Sequence, residues 1–329
     1  SMGIVESKRK FKKLIRKSKN IFIVAHKNLD LDALGSSIGM YSILKQKRKN
    51  CFMVIDDKNP EMGVSKVLRE IEGCYNIIKS TDIPVYLYKR SKKNLLIILD
   101  TNKEYLLQSE NILEYFTNKI IIDHHDLNKD SISDGLIINE ENMSSTCEMV
   151  VNISNFYNID LPPYVCTALL SGMVLDTNNF TLKTTADTYY TAYYLTALGA
   201  SPKKVQYLLK QDLSTYAEQQ KLMVNIEIKD KVAITKGTQY VIYRREDLAK
   251  TADTLLFFND IEASFVIGKI GKDVVGVSAR SLGDYDISNI LEELGGGGDS
   301  YNGAAVFENK TIGEVVEILK KAIKNQDGE

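Results

Sequence analysis

The sequence predicts an α/β fold: a doubly wound, mainly parallel sheet joined by a helical linker to a smaller α+β domain. Three observations predict it. The apolar runs 21–25, 95–99 and 120–122 are continuous rather than alternating, as in strands buried on both faces. Helix-like segments separate them, which parallel pairing requires. From about Glu227 the pattern changes to short strands with interleaved helices.

The 329 residues are enough for two cores. In chain order, Lys8 to Lys19 is a basic helical stretch, and Ile21 to Ala25 is the first strand, ending at His26. Ala33 to Arg48 reads as a helix that buries Leu34, Ile38 and Leu44, with Gly35 and Gly39 permitting close packing. Cys51 to Ile55 is the next strand, and two more end at Asp100 and at Asp123-His124-His125. Ser145-Thr146-Cys147-Glu148 is a capping-box pattern that starts a helix toward Tyr157. A helix over Tyr164 to Val174 delivers Asp176, and another over Ala186 to Leu198 stops at Gly199. Ser201 caps the following helix, with Pro202 in its first turn, and this helix is expected to run toward Asn225 as a connector. The domains are therefore placed at 1–200 and 226–329, with a helical linker over 201–225. In the second domain, strands are expected at Val232–Thr235, Tyr240–Tyr243, Ser264–Lys269 and Val274–Arg280. Helices are expected near Asp247–Phe258, Ile287–Leu294 and Thr311–Lys324.

A hydrophobic content of 44% and a charged content of 26% are ordinary for a soluble globular protein. A formal net charge of −1 argues against tracking long nucleic acid, which needs many phosphate contacts. The four cysteines form no CxxC pair, so reduced thiols and a cytoplasmic location are expected. No apolar run approaches the ~18 residues of a membrane span.

All three histidines sit in two motifs at strand ends, where ligands bind in parallel sheets. Asp30, Asp32, Asp100 and Asp176 accompany them. Imidazoles with carboxylates suit a hard divalent metal. One histidine at a strand end is more often structural. Three strand ends carrying Asp or His are harder to explain that way. Asp56 and Asp57, also after a strand, are read as surface-loop carboxylates.

The motifs His26-x3-Asp30-x-Asp32, Asp100, Asp123-His124-His125 and Asp176 resemble those of the DHH phosphoesterase superfamily. Val277 to Gly283, followed by Gly295 to Gly298, resembles the DHH-associated nucleotide-binding domain. The segments His26 to Gly39, Ser144-Ser145-Thr146, Leu175 to Phe180 and Ala279 to Gly283 are most similar to the catalytic module of GdpP-type cyclic di-AMP phosphodiesterases. The resemblance implies a metal-dependent hydrolase that converts cyclic di-AMP to pApA and further to AMP, using water activated by two divalent ions, Mn²⁺ above all. It implies that His26, Asp30 and Asp100 hold one ion and that Asp32, Asp100, His124 and Asp176 hold the other, with Asp100 shared. His125 would contact phosphoryl oxygens and Asp123 would orient ligands. Ser278, Arg280 and the run Gly295, Gly296, Gly297 and Gly298 would hold the rest of a small nucleotide, with no long nucleic acid as partner. Two alternatives stay open: a short-oligoribonucleotide nuclease or nucleotide phosphatase of the same superfamily, and a weakly catalytic sensory module that binds cyclic dinucleotides. Family members often dimerise and carry an N-terminal membrane and sensory portion. Ser1-Met2 reads as a cloning scar, which fits an excised module. Asp299, Asp126 and Asn102 depart from the pattern, which usually has His, Arg and His there, and the departures are expected to touch substrate binding.

Overall fold

The structure, a computed structural model, describes residues 1–109 and 111–328. It divides into two units, residues 1–210 and residues 211 onward. The first is built on six strands: β1 (Asn20–Val24), β2 (Asn50–Val54), β3 (Ile77–Ile78), β4 (Asn94–Leu99), β5 (Asn118–Asp123) and β6 (Leu136–Asn139). Their order is β3-β2-β1-β4-β5-β6, and every neighbouring pair is parallel. The chain thus winds outward from β1 to β3, returns to β4, and winds outward again. The switch point of such a sheet lies between β1 and β4, where a crevice opens beyond the strand ends.

Both faces of the sheet are covered, which explains the continuous apolar runs. Ile21, Ile23, Leu95, Ile97 and Ile120 pack on one side, and Phe22, Val24, Leu96, Ile98 and Ile121 on the other. The first group meets the helices Leu31–Gln46, Thr146–Ser154 and Pro163–Asp176. The first and third of these approach closely through glycine. A Cβ on Gly172 would lie 2.4 Å from Cys147 Sγ and 2.8 Å from Asp32 Cα. One on Gly35 would lie 2.5 Å from the Ala168 carbonyl oxygen.

Two sequence expectations need correction, and two strands of this sheet were not anticipated. β3 and β6 are too short to show as strands in the sequence. The connector is two helices, Pro202–Leu208 and Leu213–Leu222, rather than one reaching Asn225. Asp212 starts the second by accepting from Thr215 N. Tyr240–Tyr243 forms no strand; Ile242 makes only an isolated bridge to Lys269.

The second unit holds β7 (Glu227–Lys229), β8 (Val232–Lys236), β9 (Ala263–Gly271), β10 (Val274–Ser281), β11 (Gly297–Gly298) and β12 (Asn302–Glu308). Their order is β11-β12-β10-β9-β8-β7, antiparallel except for β8 with β9. The helices Arg245–Leu255, Ser288–Glu293 and Ile312–Gln326 accompany this sheet. Among the described residues, no helix is long and apolar enough to cross a membrane.

Candidate metal centre

Strand register places the histidine and aspartate motifs side by side. Val24 of β1 pairs with Ile98 of β4, so His26 and Asp100 each lie two residues beyond paired positions at the switch point. Leu99 pairs with Ile122 of β5, which brings Asp123 level with Asp100. Asp100 leaves its strand at φ +65, a left-handed conformation that Asp tolerates better than most residues. Its backbone N–H still donates to the Ile122 carbonyl at 3.0 Å.

The structure brings three groups of potential ligands together around Asp100, one of them Asp100, Asp123, His124 and His125. His26 Nε2 lies 3.1 Å from Asp100 Oδ2 and 3.7 Å from Asp30 Oδ1. His124 Nε2 lies 3.1 Å from Asp176 Oδ2, 3.5 Å from Asp100 Oδ1 and 3.7 Å from Asp32 Oδ2. Within each group one potential ligand atom per residue lies within 4.8 Å of all the others.

Each side chain is held from behind. Asp30 caps the Leu31–Gln46 helix and accepts from Ala33 N at 2.8 Å. Asp32 accepts from the backbone N–H groups of Thr146 and Cys147, at 3.1 and 2.9 Å, where the next helix begins. That helix terminus is a favourable place for a carboxylate. Thr146 Oγ1 donates to Asp100 Oδ1 at 3.0 Å. Asp176 closes the helix that begins at Pro163. Gln108 Nε2 donates to the His26 carbonyl at 2.8 Å.

Some of these supports escaped the sequence reading. Asp57 is not a bystander on a surface loop. It accepts from Asn28 N and Leu29 N, at 3.1 and 2.6 Å, and so fixes the loop between His26 and Asp30. Asp56 likewise accepts from Ser80 N. Ser145 caps its helix through Glu148 N at 3.1 Å, but the carboxylate of Glu148 turns to Ser144 at 3.0 Å instead of completing a capping box. Asn102, expected on the substrate side, is buried behind Asp123 and donates to its Oδ2 at 2.7 Å. Its own oxygen accepts from Lys103 Nζ at 2.6 Å and Ser131 Oγ at 2.8 Å. The other oxygen of Asp123 lies 2.6 Å from His125 Nδ1. A chain of contacts therefore runs from Lys103 and Ser131 through Asn102 and Asp123 to His125.

The charges strain against one another. Burial lowers the pKa of His26, but Asp100 and Asp30 outweigh it and hold the imidazole well above its usual range. Burial raises Asp100, but the neighbouring imidazoles of His124 and His26 take it well below the usual carboxylate range. Burial, and then the neighbouring Asp100, push both Asp32 and Asp176 well up. His124 is the clearest sign of a missing partner. It is 3% exposed, and neither ring nitrogen has a hydrogen-bond partner although three carboxylates lie within 3.7 Å. Buried polar atoms are seldom left so. Ligands that share a cation at about 2.1 Å, at right angles, stand roughly 3 Å apart and face the ion rather than each other. The donor set and the orphaned imidazole fit a divalent cation.

In the second unit the expected substrate residues are scattered in role. Ser278 is buried in β10. Arg280 is not a lone cation: Nε donates to Asp253 Oδ1 and Nη1 to the Ala279 carbonyl, each at 2.8 Å. The glycine run packs on β12. A Cβ on Gly296 would meet Ala304 O at 2.2 Å, and one on Gly298 would meet Asn302 O at 2.2 Å. Gly297 pairs with Ala304, and Gly295 turns at φ +77. Asp299 is buried and closes this hairpin, its Oδ1 accepting from Tyr301 N and Asn302 N, both at 2.8 Å.

Residues 20–173 match the DHH family N-terminal domain, and residues 229–325 match the DHHA1 domain. The chain belongs to the DHH family. Among its DHH relatives, it is 35% identical over 316 residues to the cyclic-di-AMP phosphodiesterase PdeA of Listeria monocytogenes, across 94% of this chain and 48% of the relative. The chain thus spans about half the length of that protein. It is 24% identical over 328 residues to the bifunctional oligoribonuclease and PAP phosphatase NrnA of Mycoplasma genitalium, across 94% of this chain and 96% of the relative. In fold it is similar to an exopolyphosphatase-related protein from Bacteroides fragilis, with a TM-score of 0.82, 19% identity and coverage of 97% and 96%.

Proposed function

We propose that this DHH chain is a metal-dependent phosphodiesterase that hydrolyses cyclic di-AMP to pApA, and pApA more slowly to AMP. The observation that carries the chemistry is Asp100, whose two carboxylate oxygens lie against different histidines, Oδ2 against His26 and Oδ1 against His124. A shared carboxylate between two ligand groups suits two divalent ions. His26, Asp30 and Asp100 would hold one, and Asp32, Asp100, His124 and Asp176 the other, with Mn²⁺ suited to this mixture of nitrogen and oxygen donors. Such ions, when bound, polarise a phosphoryl oxygen and make water a better nucleophile.

The remaining roles fall to the chain's own residues. In the reaction, water adds to phosphorus, one P–O bond to the ribose breaks, and the leaving oxygen takes a proton. Thr146 and the start of its helix fix Asp100 and Asp32 against movement as charge shifts. Asn102 holds Asp123, which holds His125 by Nδ1. His125 is assigned to stabilise charge on the phosphoryl oxygens. Ser278, Arg280 and residues 295–299 are assigned to the nucleotide. Arg280 would meet a phosphate while paired with Asp253. The similarity to PdeA favours the cyclic substrate. The similarity to NrnA supports a second reading, in which short linear oligoribonucleotides are preferred. A cytoplasmic location, a homodimer and a membrane-anchored sensory portion beyond this chain belong to the same proposal.

The test is a competition between cyclic di-AMP and pApA with Mn²⁺ present. Preferential loss of the cyclic compound, with pApA appearing, is the expected result. Loss of pApA alone would move the chain to the oligoribonucleases. Tight binding without turnover would make it a sensory module.

A further inference from the structure

A second feature of the first unit lies at the opposite edge of its sheet. β1, β2, β4 and β5 all begin on asparagine, at Asn20, Asn50, Asn94 and Asn118. In a parallel sheet these starts share the edge that faces away from His26, Asp100 and His124. Segments 12–19, 45–49 and 89–93 meet there. Lys19 N donates to the Lys93 carbonyl at 2.7 Å, and Lys49 Nζ donates to the carbonyls of Arg16 and Ser18, at 3.3 and 2.9 Å. These segments hold thirteen of the chain's 42 Lys and Arg and none of its 43 Asp and Glu. Most of the thirteen are exposed. The crowding shows at Lys49, whose pKa is lowered by burial and then by Lys19, Lys93 and Lys47. A net charge of −1 therefore hides one strongly basic edge.

An apolar step borders it. Asn20 Nδ2 donates to the Tyr86 carbonyl at 2.7 Å, which ties the Ile83–Tyr86 turn of helix to the strand start. There Val85 is 76% exposed and Tyr86 40%. A field of Lys and Arg with an exposed Val and Tyr at its rim has the composition of a surface that rests on anionic headgroups. Nucleic acid fits less well. Stacking platforms need bare aromatic faces, whereas Lys19 Nζ lies 6.0 Å over the ring of Tyr88, and Val85 would have no role.

We propose that this strand-start edge docks the chain on an anionic lipid surface, with Val85 and Tyr86 entering the interface and the lysines and arginines facing headgroup phosphates. The strands are 5–6 residues long along this direction, roughly 16–20 Å at about 3.3 Å per residue. The metal centre would then face away from the lipid and stay open to soluble substrate. Docking of this kind depends on salt, because exposed charges are screened.

The experiment is co-sedimentation of the chain with vesicles of phosphatidylcholine alone or mixed with phosphatidylserine. The intact chain is expected to partition at least about tenfold better onto the anionic vesicles and to be released by high salt. The variant Lys13→Glu/Lys17→Glu/Arg48→Glu/Lys92→Glu is expected to lose that preference while keeping its melting temperature and its turnover of soluble substrate. Val85→Ser is expected to weaken binding severalfold. Equal partition onto both vesicles, or full anionic binding by the fourfold variant, overturns the proposal. So does a single-stranded oligonucleotide that binds this edge while anionic vesicles do not sediment the chain. If the fourfold variant fails to fold, the salt dependence of the intact chain decides: binding unchanged at high salt counts against it.

Discussion

Gly172→Ala tests whether close helix packing sets the metal centre. Three atoms would lie around the new methyl group: Cys147 Sγ at 2.4 Å, Asp32 Cα at 2.8 Å and Leu31 O at 3.0 Å. Carbon contacts normally settle near 3.5–4.0 Å, so the neighbours must retreat by up to about 1 Å. Two of the three are backbone atoms of the facing helix, which a rotamer change cannot move. Overpacking of this kind costs about 1–3 kcal/mol, and the backbone contacts put this site at the upper end. Alanine regains about 1 kcal/mol of helix propensity. The net expectation is a loss of about 2 kcal/mol in urea unfolding of the metal-free chain. The displaced residue is Asp32 itself, held by hydrogen bonds of 3.1 and 2.9 Å, and Asp176 follows four residues after Gly172. Calorimetric titration with Mn²⁺ should therefore show about 10–100-fold weaker binding, the usual scale for disturbed support of a ligand. Gly39→Ala is the control. The three atoms nearest its methyl group would be side-chain ends, Leu169 Cδ2 at 2.8 Å, Val150 Cγ1 at 2.9 Å and Leu169 Cδ1 at 3.3 Å, about two turns from Asp32. It should lower stability and leave metal affinity intact. Unchanged unfolding and unchanged metal affinity in Gly172→Ala would refute the reasoning, as would an equal loss of affinity in Gly39→Ala.

Three further expectations follow from named contacts. Asn102→Ala removes a donor to the buried carboxylate of Asp123 and should cost about 1.5–3 kcal/mol of stability. It should also lower kcat about tenfold with KM little changed. Nitrogen NMR of the chain's three imidazoles should show the His125 environment altered, and an unaltered signal would sink the positioning role. Metal binding should release protons, because burial and Asp100 raise the pKa of Asp32 and Asp176 in the metal-free chain. Affinity should therefore fall as pH falls, and titrations in buffers of different ionisation enthalpy would count the protons. Asp299→Ala strips two backbone donors of their acceptor and should destabilise the second unit by about 1–2 kcal/mol. A melting profile identical to that of the parent chain would show the turn does not depend on it.

Much of this arrangement could be read from the sequence, for a physical reason. A strand buried on both faces must be apolar throughout, so β1, β4 and β5 announce themselves, and the polar residue that ends each run marks the edge where ligands bind. That places His26, Asp100 and His124 together on the strength of the sequence pattern. The supports were not legible, because their partners are distant in sequence. Nothing local to Asp57 says that it holds Asn28 and Leu29, and nothing near Asn102 says that it backs Asp123. The glycine run was ambiguous by nature. A loop that cradles an anion and a hairpin pressed on β12 both exclude a Cβ, and only the distances to Ala304 and Asn302 reveal the second demand. β12 itself was hidden because Asn302-Gly303-Ala304-Ala305 lacks the β-branched and aromatic residues that signal a strand.

The most direct test of the account is the number of Mn²⁺ ions retained after equilibrium dialysis. Two per chain are expected, and Asp100→Ala should lose both, since each ligand group is left incomplete. One ion or none in the intact chain would contradict the shared-carboxylate centre, as would two ions retained by Asp100→Ala.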